Sequence, residues 1–252
     1  MCNFQAPLEY FDVAIGHTSL SVNGNQVELT SNSVPWMGLD LVSQWQTNEF
    51  VLELSLAYGD CITTGLGLGI VQTMLALNPN VRNVRVFEKN RDVIEIFKII
   101  AAKNNFDVSK IQIINADADK ISNQTCDCLF LDHFENISDE EIISRVRNLA
   151  NFNSSKLLWY WPAASHFVKY CLQHQLAIDE KSYVDWKHYI KIPHLPNQLT
   201  EKNLIDVRDL KKKYLTDAAE SGLSLSILNL ENRQHYKKFF KKFKGAVPSG
   251  GL

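Results

Sequence analysis

The chain has 252 residues, 45% hydrophobic and 21% charged, which is material for one large domain with a substantial core. A net charge of −2 gives no overall basic character for a polyanionic partner, and no apolar run approaches the ~20 residues of a membrane span. The opening "MCNFQAPLEYFDVAIGHTS" lacks the basic-then-apolar order of a secretory signal, and the five cysteines fit reduced thiols, so a cytoplasmic location is expected.

In chain order, "TSLSVNGNQVELT" alternates Leu20 and Val22 against Val27 and Leu29 across Asn23-Gly24, which predicts a tight β-hairpin. "MGLDLVSQWQTNEFVLELSLAYGD" carries helical spacing, as one broken helix or two short ones, with Gly59 as a stop. "CITT" then reads as a strand, and Ile70, Val71, Met74, Leu75 and Leu77 as a helical stripe ending near Asn78-Pro79. "VRVFE" is a second strand, followed by a helix bearing Val93, Ile94, Phe97, Ile100 and Ala101. "KIQIINADA" and "CDCLFLDHFE" are two further strands with acidic ends. Ser138-Asp139-Glu140-Glu141 is a capping box that opens another helix, and "KLLWYW" is a buried strand. Beyond Pro162, "SHFVKYCLQHQLAI" and "LTEKNLIDVRDLKKKYLTDAAESG" read as helices, "YVDWKHYIKIP" as a strand, and "LSLSILNL" as either. The alternation predicts an α/β protein with a Rossmann-like, doubly wound, mostly parallel sheet. An N-terminal β-hairpin extension (residues 1–50) precedes the core (51–180), and a mixed or helical C-terminal extension (181–252) completes the domain.

Ligands of open parallel sheets bind outside the carboxyl ends of the strands, so the strand ends nominate the site. The first delivers Thr64-Gly65-Leu66-Gly67-Leu68-Gly69, where the backbone can come close to a ligand at a helix N-terminus. The second ends at Glu88, about twenty residues on, where a carboxylate can accept both hydroxyls of a ribose. Asp117-Ala118 ends the third, with an acid for an adenine amino group, and Asp132, His133 and Glu135 end the fourth. Together they point to a nucleoside-bearing ligand. The dinucleotide fingerprint needs glycine where Ile70 stands, which disfavours a nicotinamide oxidoreductase.

At "TTGLGLG", "VFEKN", "NADA" and "LFLDHFE" the chain resembles the class I S-adenosylmethionine-dependent methyltransferase fold, including its spermidine synthase-like branch, over about residues 61–161. The resemblance implies S-adenosyl-L-methionine as donor. Thr64, Gly65, Gly67 and Gly69 would lie beside its methionine, Glu88 on the ribose, Asp117 and Ala118 at the adenine, and Asp132 at the reactive centre. Thr63 stands where many methyltransferases carry an acid, and neither N-P-P-Y nor D-P-P-Y is present. Asp132-His133-Phe134-Glu135 looks like the D-x-x-D of aminopropyltransferases, which would use decarboxylated S-adenosylmethionine.

Methyl transfer to an amine needs placement of the nucleophile and a group to take its proton. Asp132 is expected to orient the amine and His133 or Glu135 to take the proton. The acceptor is expected to be a small molecule. Trp159, Tyr160 and Trp161 offer stacking surfaces, as do Trp36 and Tyr58, with core packing the plainer reading of each. "YKKFFKKFK" reads as an amphipathic helix before a nucleic-acid surface. Cys126 and Cys128 lack the second pair that a zinc site needs, and no histidine pattern suggests a metal. Two further readings stay open: an aminopropyltransferase, and a degenerate scaffold without catalysis. The hairpin could close the pocket or pair two copies into a homodimer.

Overall fold

The computed structural model describes residues 8–40, 54, 56–134, 137–199 and 201–220. Glu135, the Trp36 side chain, most of the helix expected before Gly59, "LSLSILNL" and the basic run lie outside the described residues.

The N-terminal part is a four-stranded antiparallel sheet, β1 (Val13–Ile15), β2 (Thr18–Asn23), β3 (Gln26–Ser31) and β4 (Val34–Asp40), in that spatial order. The expected hairpin is there, with Leu20 opposite Leu29 and Val22 opposite Val27 across the Asn23-Gly24 turn. It is half of a larger sheet. Met37–Asp40, expected in a helix, form β4 because Met37 pairs with Leu29 and Leu39 with Val27, and cross-strand partners override local periodicity. The sheet buries Leu20, Val27 and Leu29.

The second sheet has β5 (Gly59–Thr64), β6 (Val81–Glu88), β7 (Ile111–Asn115), β8 (Cys128–Leu131) and β9 (Leu157–Tyr160), all parallel, in the order β7-β6-β5-β8-β9. Gly59 opens β5 instead of ending a helix, and its amide donates to Asn80 O at 2.8 Å. The connecting helices are α1 (Ile70–Leu77), α2 (Arg91–Lys103) and α3 (Asp139–Phe152). The α2 N-cap is Asn90, which accepts from Asp92 N, and the α3 N-cap is Ser138, which accepts from Glu141 N as its capping box predicts.

Beyond β9 come α4 (Ala163–Gln173), α5 (Glu180–Ile190) and α6 (Glu201–Glu220). The strand expected at "YVDWKHYIKIP" is α5. Asp179 caps it through Ser182 N, and Tyr183, Trp186 and Ile190 bury one helical face, the two aromatics packing on Phe167.

Register fixes the faces of the parallel sheet. Thr64, Leu131 and Tyr160 are neighbours in one row, and Thr63, Phe130 and Trp159 in the next. Successive residues face opposite ways. Gln72 of α1 reaches Thr63, whereas His166 of α4 reaches Tyr160, so α1 and α4 cover opposite faces. The winding therefore reverses between β5 and β8, the switch point of a doubly wound sheet. The N-terminal sheet rests against α2, where Asp92 accepts from His17 N (3.1 Å) and Asn104 exchanges two hydrogen bonds with the Glu9 backbone.

Candidate functional site

The tips of β5 to β8 form one row at the switch point. Thr64 ends β5, and Gly65, Gly67 and Gly69 follow with φ of 76°, 49° and 76°. A Cβ on Gly65 would run into Asp132 O, because the loops after β5 and β8 touch backbone to backbone. At Gly67 a Cβ would meet Met37 Sδ at 2.8 Å, and at Gly69 it would meet the Phe97 ring. These glycines thus permit close packing of the protein on itself. Leu66 and Leu68 are buried, and the Tyr10 hydroxyl donates to Leu68 O at 3.0 Å.

Glu88 ends β6 and is only 3% exposed. Its Oε2 accepts from Leu66 N (2.8 Å) and its Oε1 from Asn90 N (2.7 Å), so the carboxylate braces the glycine loop. The β7 tip is tied to the same place, since Ala116 N and Asn115 Nδ2 both donate to Glu88 O. Asp117 caps the single-turn helix Ala118–Lys120 by accepting from Asp119 N, and it pairs with Lys120 at 3.2 Å. Partial burial works against its ionisation, but Lys120 and the Asp119 amide prevail and hold the carboxyl below its ordinary range. Ala118 is buried beneath this turn.

At the β8 tip, Asp132 N donates to Thr64 O (3.1 Å) and Thr64 Oγ1 (3.0 Å). His133 Nδ1 lies 2.6 Å from Thr64 Oγ1, and Nε2 lies 3.1 Å from Asp119 Oδ1. Burial lowers the His133 pKa, against the opposing pull of Asp119. Both ring nitrogens of His133, expected to take a proton from a bound amine, are thus engaged within the protein. Arg145 of α3 pairs with Asp119 (2.5 Å) and Glu141 (2.7 Å). Sequence reasoning missed Asp119 and Arg145 altogether; the nearest signal was a second acid in "NADADK".

The row thus brings together Thr64, the glycines, Glu88, Asp132 and His133, with Asp117 and Ala118 next to them. Of the aromatics, Trp159 and Tyr160 are core residues, as the plainer reading had it. Tyr58 cannot cap this site. It precedes the amino end of β5, where its carbonyl accepts from Cys128 Sγ at 3.3 Å. Cys126 and Cys128 are buried at the start of β8, and burial pushes the Cys126 thiol up to about 12.

Beside Gly65, Gln72 is 2% exposed and donates through Nε2 to Thr63 Oγ1 (3.2 Å) and Gly65 O (2.8 Å), while its Oε1 has no hydrogen-bond partner. A buried acceptor of this kind calls for an explanation. A separate cavity of about 660 Å³ lies among Asn151, Lys187, His188 and Lys191, where α3 ends and α5 ends, remote from the strand tips.

No family model matches the chain, and no curated protein matches it. Among solved structures it is similar to spermidine synthase from Thermotoga maritima, at 11% identity and a TM-score of 0.40 over 57% of this chain and 53% of that one. It is also similar to an S-adenosylmethionine-dependent methyltransferase from Clostridium acetobutylicum (12%, TM-score 0.32, 42% and 45%). A third is phosphoethanolamine N-methyltransferase 1 of Haemonchus contortus (19%, TM-score 0.34, 45% and 24%). The chain spans about half, or less, of the length of these proteins. Likeness at these scores carries no argument about activity. The fold itself rests on strand order: a doubly wound, Rossmann-like sheet of the kind that the motifs resemble.

Proposed function

We propose that this chain is an S-adenosylmethionine-dependent transferase that methylates a small, amine-bearing acceptor. The supporting observation is the single row in which the glycine loop, Glu88, Asp117 and Asp132 end β5, β6, β7 and β8 at the switch point. The fit has one asset and one demand. Gln72 Oε1, buried beside Gly65 and unpartnered, is an acceptor in search of an N–H, at the loop where the donor's amino end belongs in this reading. Glu88, only 3% exposed and bonded to the Leu66 and Asn90 amides, must be uncovered to accept from ribose hydroxyls.

When bound, the donor supplies a methyl group on a sulfonium centre. The chain's share is to hold and orient. Glu88 and Asp117 secure the nucleoside, and Asp132 aligns the acceptor amine and receives its proton at the β8 tip. His133 holds position.

Calorimetric titration with S-adenosylmethionine, its decarboxylated form and NAD in parallel tests this reading. Saturable binding of S-adenosylmethionine above the other two is expected, and preference for the decarboxylated donor would replace methyl by aminopropyl transfer. Glu88→Ala should weaken donor binding at least about tenfold, because hydrogen bonds to a charged group are worth about 1.5–3 kcal/mol each. Unchanged affinity in that variant would remove Glu88 from the ribose. One observation favours a second reading, a scaffold that binds no donor: Glu88 is almost wholly buried with both oxygens on backbone amides. No heat with either donor would establish that alternative.

A further inference from the structure

The turn Ala118–Lys120 sets Asp119 beside His133, and α3 sets Arg145 beside Asp119. An ionised carboxylate only accepts, so His133 Nε2, 3.1 Å from Asp119 Oδ1, carries the hydrogen. Nδ1 then accepts from the Thr64 hydroxyl at 2.6 Å. The hydroxyl oxygen in turn accepts from Asp132 N at 3.0 Å. Arg145 reaches both Asp119 and Glu141, so the carboxylate is held from the helix as well as from the turn.

We propose that Asp119, held by Arg145, is a positioning residue that locks His133 in its Nε2–H form and, through Thr64, sets the backbone of Asp132 at the β8 tip. Asp119 acts through His133. Its effect on turnover rests on the transferase reading given above; its effect on the imidazole does not. The groups facing that imidazole are Asp119 and Asp117 from the turn and Arg145 from α3. The carboxylates favour its charged form, whereas Arg145 and burial oppose it.

The test is imidazole nitrogen NMR of the full chain across pH, with Asp119→Asn and Arg145→Gln beside the wild type. The wild type should show the Nε2–H tautomer. The His133 pKa should fall in Asp119→Asn and rise in Arg145→Gln, where the charge is lost and the glutamine amide can still donate to Asp119, a pair of opposite shifts that loosened packing does not produce. An Nδ1–H tautomer in the wild type, or shifts of the same sign, overturns the proposal. The wild-type spectrum decides even if a variant fails to fold. In methyl transfer, Asp119→Asn should lower kcat about tenfold with KM for the donor within about twofold, and Asp119→Glu should recover most of it. Equal losses in the two variants also overturn it. If S-adenosylmethionine does not bind, the transferase reading falls, and the spectrum still settles what Asp119 does.

Discussion

Two side-chain relays of like composition end at strand tips on either side of β8, and they differ in depth. At β5 the order is Thr64, His133, Asp119, Arg145, with separations of 2.6, 3.1 and 2.5 Å. At β9 it is Tyr160, His166, Asp139, Lys169, with separations of 3.0, 3.3 and 2.6 Å. Each runs from a strand-end hydroxyl through imidazole Nδ1 and Nε2 to a carboxylate with a cation, and both hydroxyls stand in the row that flanks Leu131. The cation of the first is 36% exposed in its side chain, that of the second 11%. His166 Nε2 lies 3.3 Å from Asp139 Oδ1 without hydrogen-bond alignment, while Asp139 Oδ2 pairs with Lys169. We take that contact as electrostatic. The shallow relay can be re-formed in water, so its value is orientation. The deep one joins α3 to α4 in a medium where charges are costly to separate.

Removing each carboxylate tests that difference first. Losing one partner of a buried pair costs about 3–5 kcal/mol, and the partial exposure of Asp139 puts Asp139→Ala near about 3 kcal/mol in denaturant unfolding. The two carboxylates are about equally exposed, but Asp119→Ala leaves Arg145 36% exposed and still paired with Glu141, so it should cost under about 1 kcal/mol. Equal losses would mean that depth does not separate the two relays.

The shallow relay also depends on how closely the loops after β5 and β8 approach. Gly65→Ala adds a Cβ against Asp132 O at φ of +76°, whereas Gly24→Ala adds one at φ of +59° with nothing within 4 Å. The left-handed backbone costs an L-residue about 1–2 kcal/mol, which is all that Gly24→Ala should lose. Gly65→Ala should lose clearly more, and its His133 imidazole signals should move. Identical losses would show that the β8 loop yields freely and that the first glycine serves only the turn.

Much of this was legible in the sequence because strand ends are read from local pattern. Apolar runs closed by Glu88, Asp117 and Asp132 placed the tips, and the capping box at Ser138 placed α3. What was missed depends on partners distant in the chain. Met37–Asp40 became a strand through β3, and α5 was obscured because Tyr183, Val184, Trp186, Tyr189 and Ile190 all suit strands by propensity. Asp119 and Arg145 stand 14 and 26 residues from the groups they bind, in a turn and on a helix, where no motif marks them. The glycines were read as a place where a ligand comes close to the backbone, and the atoms that come close along their Cβ directions belong to Asp132, Met37 and Phe97.

The last effect concerns pH, and its sign follows from burial. Burial lowers the pKa of both His133 and His166, against the pull of Asp119 on one and Asp139 on the other. Below the ordinary histidine value of about 6.5 the unfolded chain takes up protons that the folded chain refuses. Stability is therefore complete above that value and declines as pH falls toward the folded pKa values, by at most about 1.4 kcal/mol per pH unit for each imidazole. Removing a cation from one relay and a carboxylate from the other should move the two imidazoles oppositely. Arg145→Gln raises the folded pKa of His133 and should flatten the decline. Asp139→Ala takes away what favours a charged His166 and should carry the decline to lower pH. Denaturant midpoints between neutral pH and the carboxylate range distinguish these, and a common slope in all three proteins would mean that neither imidazole senses its relay.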